Sequence, residues 1–308
     1  MRETDSYHQP ALVDEAVGYL VTRRDGTYID ATAGDGSHTL AILARLDCSG
    51  RILAVDRDDE GVARTACRVS GYSSQVQVVR GDFGCLRELA FDAGIKAVNG
   101  ILFDLGVSSH QLDSAYRGFS YRETGPLDLR MDRRGEVTAE DIINRMPADD
   151  LARIFREYGE EKNARRIASA IIAARQKRPL TTTTELAAVI ASVTNPRYVT
   201  KTLSRTFQAI RVAVNDELDQ LRRGLAAAAE LLSIESRMII ISYHSLEDGI
   251  VKNFIRSHGA RAQAERGEAV DSAVTLRALT KKPVRPSSDE VHKNSRARSA
   301  KMRVAERL

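Results

Sequence analysis

Cysteine is scarce in this chain: Cys48, Cys67 and Cys85 are the only three, and no pair has Cys-x-x-Cys spacing. That excludes a disulfide framework and leaves no zinc signature. The three are expected as buried structural thiols, because free cysteine usually packs as a small apolar group. Long apolar runs are also missing. No stretch reaches the length of a bilayer-spanning helix, and the opening Met1-Arg2-Glu3-Thr4-Asp5-Ser6 lacks the apolar core of a secretory signal. A cytoplasmic protein with no membrane partner is expected. Gly-x-Ser-x-Gly, a Walker loop and His-Glu-x-x-His are absent, so acyl hydrolases, nucleotide triphosphatases and zinc proteases lack their signals. The six histidines are scattered, and no metal site is expected.

What is present is an ordinary globular composition, 43% hydrophobic and 29% charged. At 308 residues the chain suits two domains, or one domain with a large insert. The net charge of +4 is modest but unevenly spread: from Lys162 to Arg211, ten Lys or Arg stand against one acid, Glu185. From Lys252 to the end, fourteen bases stand against six acids. Such fields attract polyanions, although a solvated helical face and a basic tail would give the same counts.

The first third alternates strand and helix. Strands are read at 27–31, 51–56, 76–79 and 100–104, with a small-residue turn and the helical run Thr39 to Ala44 after the first. Apolar strands separated by helices indicate a parallel sheet covered on both faces. From Gly106 to Gly135 the chain reads as functional loop. Helices then dominate from Thr138 to about Leu232: Leu151, Ile154, Phe155 and Tyr158 have helical spacing before Gly159, Thr182 and Glu185 have capping-box spacing, and one long helix is read through Phe207, Ile210, Val214, Leu218, Leu221 and Leu225. Strand character returns at 237–243 and again at 300–305. Residues from about Arg256 to Lys293 show no clear periodicity and read as loop.

Chemistry concentrates at the strand ends. Gly34 and Gly36, in Ala33-Gly34-Asp35-Gly36-Ser37-His38, let the backbone approach an adenosine cofactor closely, and Asp56 can accept bonds from ribose hydroxyls. Nicotinamide and flavin proteins share that pair. Asp35 and Ser37 leave little room for a pyrophosphate, and a carboxylate there would tolerate a sulfonium and an ammonium; with the last strands read as an antiparallel hairpin, this favours S-adenosylmethionine. In Gly81-Asp82-Phe83 the acid can meet an adenine amino group and the ring can stack on the base, though Phe83 fits a core role equally. Asp104 ends the fourth strand, where ligands bind in such sheets. The loop that follows, with Ser108, Ser109, Phe119 and Tyr121, mixes polar groups, cations and rings suited to a splayed-out base. Ser242 to Asp248, with Tyr243 and His244, crowds hydroxyls, an imidazole and two carboxylates, and could also be a helix cap at Ser245.

These residues together resemble the RsmH/MraW family, bacterial methyltransferases acting on the exocyclic N4 of a decoding-centre cytosine in 16S ribosomal RNA. The resemblance runs nearly end to end, through His8-Gln9-Pro10, Asp30 to His38, Ala54 to Asp58, Phe103 to Ser109, Gly125 to Asp132, Arg205 to Arg211, Ser242 to Asp248 and Ser295 to Lys301. It departs from the family pattern at Ser37, His110, Gly249 and Ser295, where glycine, proline, arginine and proline are usual.

The resemblance implies an α/β fold: a Rossmann-like class I methyltransferase sheet, formed by 1–110 and 208–308, with an inserted α-helical domain at 111–207 that recognises RNA. It implies S-adenosylmethionine as cofactor, held by Gly34, Gly36, Ser37, His38, Asp56, Phe83, Asp104 and Gln111, with Asp104 the candidate catalytic group. Ser108, Ser109, Phe119, Tyr121, Arg197, Arg205, Tyr243 and His244 are the expected substrate-binding positions, and Arg165, Arg166, Arg197, Lys201 and Arg205 the expected phosphate contacts. The partner implied is 16S ribosomal RNA, within the small ribosomal subunit, and a homodimer is compatible with it.

Overall fold

The computed structural model describes residues 10–259 and 274–308, so His8 and Gln9 lie outside the described residues. The chain divides into two compact units, 1–106 with 218–308, and 107–217. Among the described residues no helix is long and apolar enough to cross a membrane.

The first unit is a seven-stranded sheet in the order β3-β2-β1-β4-β5-β7-β6. Its strands are β1 (Thr27–Asp30), β2 (Arg51–Asp56), β3 (Val76–Arg80), β4 (Val98–Asp104), β5 (Leu232–Ser242), β6 (Leu276–Ala278) and β7 (Lys301–Arg307). The pairs from β3 through β5 are parallel, whereas β7 runs antiparallel to both β5 and β6. This is a Rossmann-like sheet, with the antiparallel last strand expected from the sequence.

Side-chain alternation assigns each strand residue to one of two cores. Ile29, Ile101, Phe103, Met238 and Ile240 enter one; Tyr28, Leu102, Ile239 and Ile241 enter the other. The first core is closed by residues of α4 (Leu86–Asp92), α11 (Glu217–Leu231) and α12 (Ser245–Ser257), the second by α1 (Val13–Leu20) and α2 (Ser37–Leu43). Burial on both faces is why β4 and β5 read as continuous apolar runs. Strand order reverses between β1 and β4, which opens a crevice beyond their carboxyl ends.

The second unit is helical: α5 (Ser109–Asp113), α6 (Ala139–Arg145), α7 (Ala148–Glu157), α8 (Ala164–Arg175), α9 (Thr183–Ser192) and α10 (Val199–Asn215). Its core joins Leu151, Ile154, Phe155, Ile167, Leu186, Phe207 and Ile210. Thr138 and Thr182 form reciprocal capping boxes with Asp141 and Glu185, fixing where α6 and α9 begin.

Three sequence expectations need correction. The long helix through Phe207 and Leu225 is two helices, because Asp216 turns left-handed at φ 51°. Buried Asn215 fixes the break by accepting from the Met131 amide at 2.7 Å and donating to the Leu129 carbonyl at 2.8 Å. In the structure the helical unit is 107–217. The span 256–293 is not all loop: β6 forms there by pairing with β7, and a helix, α13 (Ser288–Lys293), is capped by Ser287; residues 260–273 lie outside the described residues. Lastly, Cys48, Cys67 and Cys85 are all exposed, since none falls on the apolar face of its segment.

Candidate active site

The turn after β1 is built from its own polar side chains. Asp30, fully buried, accepts from the Thr39 hydroxyl at 2.6 Å and the Thr32 amide at 3.2 Å, tying the strand end to α2. Gly34 and Gly36 both take left-handed φ, +58° and +80°, which β-carbon-bearing residues adopt at a cost. A Cβ on Gly36 would also press on Thr65, 3.1 Å from its Cα, whereas a Cβ on Gly34 would make only ordinary contact, 3.9 Å from the Thr32 carbonyl oxygen. The helix α3 (Asp59–Arg68) buttresses the turn: the Thr65 hydroxyl donates to the Gly34 carbonyl, and Arg68 binds Ser37 and pairs with Asp35 at 3.4 Å.

Asp56 closes the turn from β2, its Oδ2 accepting from the Gly34 amide at 2.7 Å and its Oδ1 from the Asp58 amide at 2.8 Å. Each oxygen keeps a lone pair for a further donor. Gly61 leaves room for this carboxylate, since a Cβ there would lie 2.9 Å from its carbon. Burial pushes the Asp56 carboxyl up to about 6, against the pull of its two amide donors.

Asp104 stands at the carboxyl end of β4, its amide donating to the Thr32 hydroxyl at 2.6 Å. Tyr243, at the end of β5, donates its hydroxyl to Asp104 Oδ1 at 2.8 Å, and His38 Nδ1 lies 3.6 Å from Oδ2. Burial raises the Asp104 carboxyl to about 7; the Tyr243 hydrogen bond opposes this, while Asp30, Glu247 and Asp35 add to it by repulsion. Burial lowers His38 to about 4, so the imidazole is neutral at pH 7. A hydrogen bond to the Ala11 backbone opposes part of that shift. Tyr243 is raised well above the usual phenol value by burial, then by Asp104.

Asp30, Asp35, Asp56 and Asp104 thus share one crevice: Asp56 and Asp35 raise the proton affinity of Asp30, and Asp30 and Asp35 that of Asp104, on top of burial. A pyrophosphate would be repelled by that field, while a ligand carrying a sulfonium and an ammonium would relieve it. Together with the glycine turn and the spare lone pairs of Asp56, this donor set fits S-adenosylmethionine.

The remaining expected residues are placed as follows. Phe83 is partly buried, edge-on to Phe103 with centroids 5.8 Å apart, and it closes over Gly224; the adjacent Asp82 pairs with Arg57 at 3.3 Å. Phe83 therefore packs as core on at least one side. His244 occupies the cap position of α12, in place of the expected Ser245, and is packed against buried Glu247 at 3.1 Å. Glu247 in turn accepts from the Tyr243 amide at 2.9 Å.

Gln111, Ser108, Ser109, Phe119, Tyr121, Arg197 and Arg205 belong to the helical unit. Ser108 and the buried Gln111 cap α5 reciprocally, and Ser109 is its first residue. Phe119 is buried beneath Arg117, so its ring is not free to stack on a base. Tyr121 leans on Phe207 and bonds Ser204 at 2.9 Å. Arg197 is exposed, and Arg205 is half-buried, 3.9 Å from Glu161. Sequence reasoning assigned no role to Asp30, Thr32, Thr39, Gly61, Thr65 or Arg68. The first three lie inside the quoted motif, while the last three lack any local signal because α3 meets the turn only in the folded chain.

Residues 5–308 match the MraW methylase family. Curated relatives named ribosomal RNA small subunit methyltransferase H include one from Chloroherpeton thalassium, 43% identical over 99% of this chain and all of that protein, and one from Thermomicrobium roseum, 44% identical over 98% of this chain and 94% of that protein. Among solved structures, a SAM-dependent O-methyltransferase from Thermotoga maritima aligns with 96% of this chain and 64% of its own at 10% identity, with a TM-score of 0.43.

Proposed function

Because the chain belongs to the MraW methylase family, we propose that it methylates the exocyclic N4 amine of a cytosine in the decoding centre of 16S ribosomal RNA. In this reading the sheet unit binds S-adenosylmethionine and the helical unit recognises the RNA within the small ribosomal subunit. The observation that supports the chemistry is the carboxylate of Asp104, held at a strand end by Tyr243 with a proton affinity near neutrality. The relatives' names, ribosomal RNA small subunit methyltransferase H, support the substrate class.

S-adenosylmethionine supplies an electrophilic methyl group when bound. The protein's part is to position and to accept a proton. Gly34 and Gly36 let the backbone close on the cofactor, and Asp56 offers lone pairs to its ribose. A cytosine amine is a poor nucleophile, since its lone pair is delocalised into the ring, so an acceptor for its N–H is needed. Asp104 Oδ2 is the acceptor: Oδ1 is engaged by Tyr243, and a group titrating near the working pH can take a proton and lose it again. His38, neutral, is packed 3.6 Å from Oδ2.

Mass mapping of 16S RNA from cells with and without the chain tests the reading. Loss of one methyl group at a decoding-centre cytosine is expected. Unchanged methylation there would defeat it.

A further inference from the structure

The helical unit carries cations that its own acids do not neutralise. Of the ten basic residues between Lys162 and Arg211, three have internal work: Arg175 binds the carbonyls of Ile143 and Met146, Arg178 pairs with Glu185, and Arg211 pairs with Glu217. Lys177 stands apart in the turn after α8, and the remaining six, together with Arg156, fall in two places. One is an open cleft between α7 and α8, lined by Arg156, Lys162, Arg165 and Arg166 together with Glu160 and Glu161. All four cations there are exposed. The other is the start of α10, where Arg197 and Lys201 are exposed and Arg205 lies one turn beyond Lys201. Arg205 joins the two, reaching Glu161 at the cleft wall.

An aromatic ring stands at the outer end of this row. Tyr198 is 53% exposed, although large apolar rings are normally covered, and the Arg197 guanidinium carbon lies 5.9 Å from its ring centroid. The backbone that carries the ring is fixed. Pro196 opens the short 3-10 turn, the Asn195 side chain accepts from the Arg197 amide, and the Tyr198 amide donates to the Asn195 carbonyl at 2.8 Å.

We propose that Tyr198, Lys201, Arg205 and the Arg156–Arg166 cleft form one track for single-stranded RNA, with Tyr198 stacking on an unpaired base and the cations following the phosphates. This inference rests on the proposed ribosomal RNA substrate and says which surface holds it. A single strand fits because it offers both partners the surface lacks: a flat base for an exposed ring, and a line of regularly spaced anions for cations strung from helix to cleft. An acidic protein segment would satisfy the cations alone. A duplex keeps its bases stacked and would leave Tyr198 unused.

The test measures affinity of the full chain for a labelled single-stranded RNA oligonucleotide and for its duplex, across a salt series. Tyr198→Ala is expected to weaken single-strand binding about tenfold, in line with the loss of one stacked base, while leaving the salt slope unchanged. Arg165→Ala with Arg166→Ala should reduce the magnitude of the slope of log K against log salt by about 1.4, roughly 0.7 for each lost phosphate contact. All three positions are exposed, and thermal melts check that the variants fold. Single-strand affinity unchanged by Tyr198→Ala, a salt slope unchanged by the double variant, or equal wild-type affinity for duplex and single strand would overturn the track. Incorporation of labelled methyl into small ribosomal subunits is read separately, so a chain that binds the oligonucleotide but transfers no methyl group defeats the methylation reading and leaves the track standing.

Discussion

Tyr243→Phe removes one oxygen atom and leaves the ring in place, which makes it a clean probe of Asp104. The phenol donates to Asp104 Oδ1 at 2.8 Å and is the largest influence holding that carboxyl down, against burial and the repulsion of Asp30, Glu247 and Asp35. A hydrogen bond to a charged group is worth about 1.5–3 kcal/mol, and one pKa unit corresponds to about 1.4 kcal/mol. Without the phenol, the Asp104 carboxyl should therefore rise by about one to two units from its value of about 7. At pH 7 the ionised fraction would fall from about one half to between about a tenth and about a hundredth, a loss of roughly 5- to 50-fold in methyl transfer.

The sign matters as much as the size. A base is active when ionised, so the acidic limb of the pH profile should move to higher pH, and the variant should recover toward wild-type turnover in alkaline buffer. The assay is single-turnover transfer of labelled methyl to small ribosomal subunits from pH 6 to 9.5, with cofactor binding measured in parallel. A variant slowed equally at every pH would show that Tyr243 shapes the site without tuning Asp104. A variant with the wild-type profile would remove Asp104 from the role of proton acceptor.

Two further substitutions test the same crevice. Asp104→Asn should lower methyl transfer by about 10²–10⁴ while preserving the fold. It should also change the pH dependence of stability: the raised Asp104 carboxyl contributes stability that is present below its unfolded value and lost as pH climbs from 3.8 to about 7. That interval corresponds to at most about 4 kcal/mol, and since the side chain keeps 19% of its surface exposed, about half of it or less is expected. Thermal melts should show the variant gaining on the wild type between pH 4 and pH 7, and a gap that does not vary with pH would refute the assignment. Gly36→Ala adds a Cβ at φ +80° and against Thr65, and should cost about 1–3 kcal/mol in backbone strain; isothermal titration should find cofactor affinity reduced by tenfold or more, and unaltered affinity would mean that the turn is not part of the cofactor site.

The strands and the order of the first sheet elements were legible because burial on both faces writes itself as continuous apolar runs, visible in Gly100 to Phe103 and Met238 to Ile241. Glycines 34 and 36 were legible for a similar reason, since a left-handed turn leaves few other residues available. The helix break at Asp216 was not legible. Helical periodicity continues through Val214, Leu218 and Leu221, and the interruption depends on Asn215 meeting Leu129 and Met131, more than eighty residues away in sequence. Tyr243 was picked out for the right neighbourhood and given a substrate role, whereas the structure bonds its hydroxyl to Asp104 across two adjacent strands. Phe119 was read as free to stack because its neighbours are cations and hydroxyls. Local polarity did not reveal that Arg117 itself is buried, donating to the carbonyls of Arg130 and Met131.

Crowding Asp30, Asp56 and Asp104 into one crevice costs stability above their raised values of about 6, 6 and 7, so the arrangement needs a compensating use. A cationic ligand supplies one. At pH 7 these groups hold a fraction of a proton between them, and a positive charge placed among them favours ionisation, so binding S-adenosylmethionine should release protons. S-adenosylhomocysteine has the same adenosine and amino-acid ends but a neutral sulfur, and should release fewer. Titrating both ligands into buffers of different ionisation heat separates the proton count from the binding heat. Release should be larger for the sulfonium, should grow as pH falls from 8 to 6, and should shrink in Asp104→Asn. Equal release for the two ligands at every pH would mean that the carboxylates do not sense the sulfonium, and the electrostatic reason for preferring it over a pyrophosphate ligand would be lost.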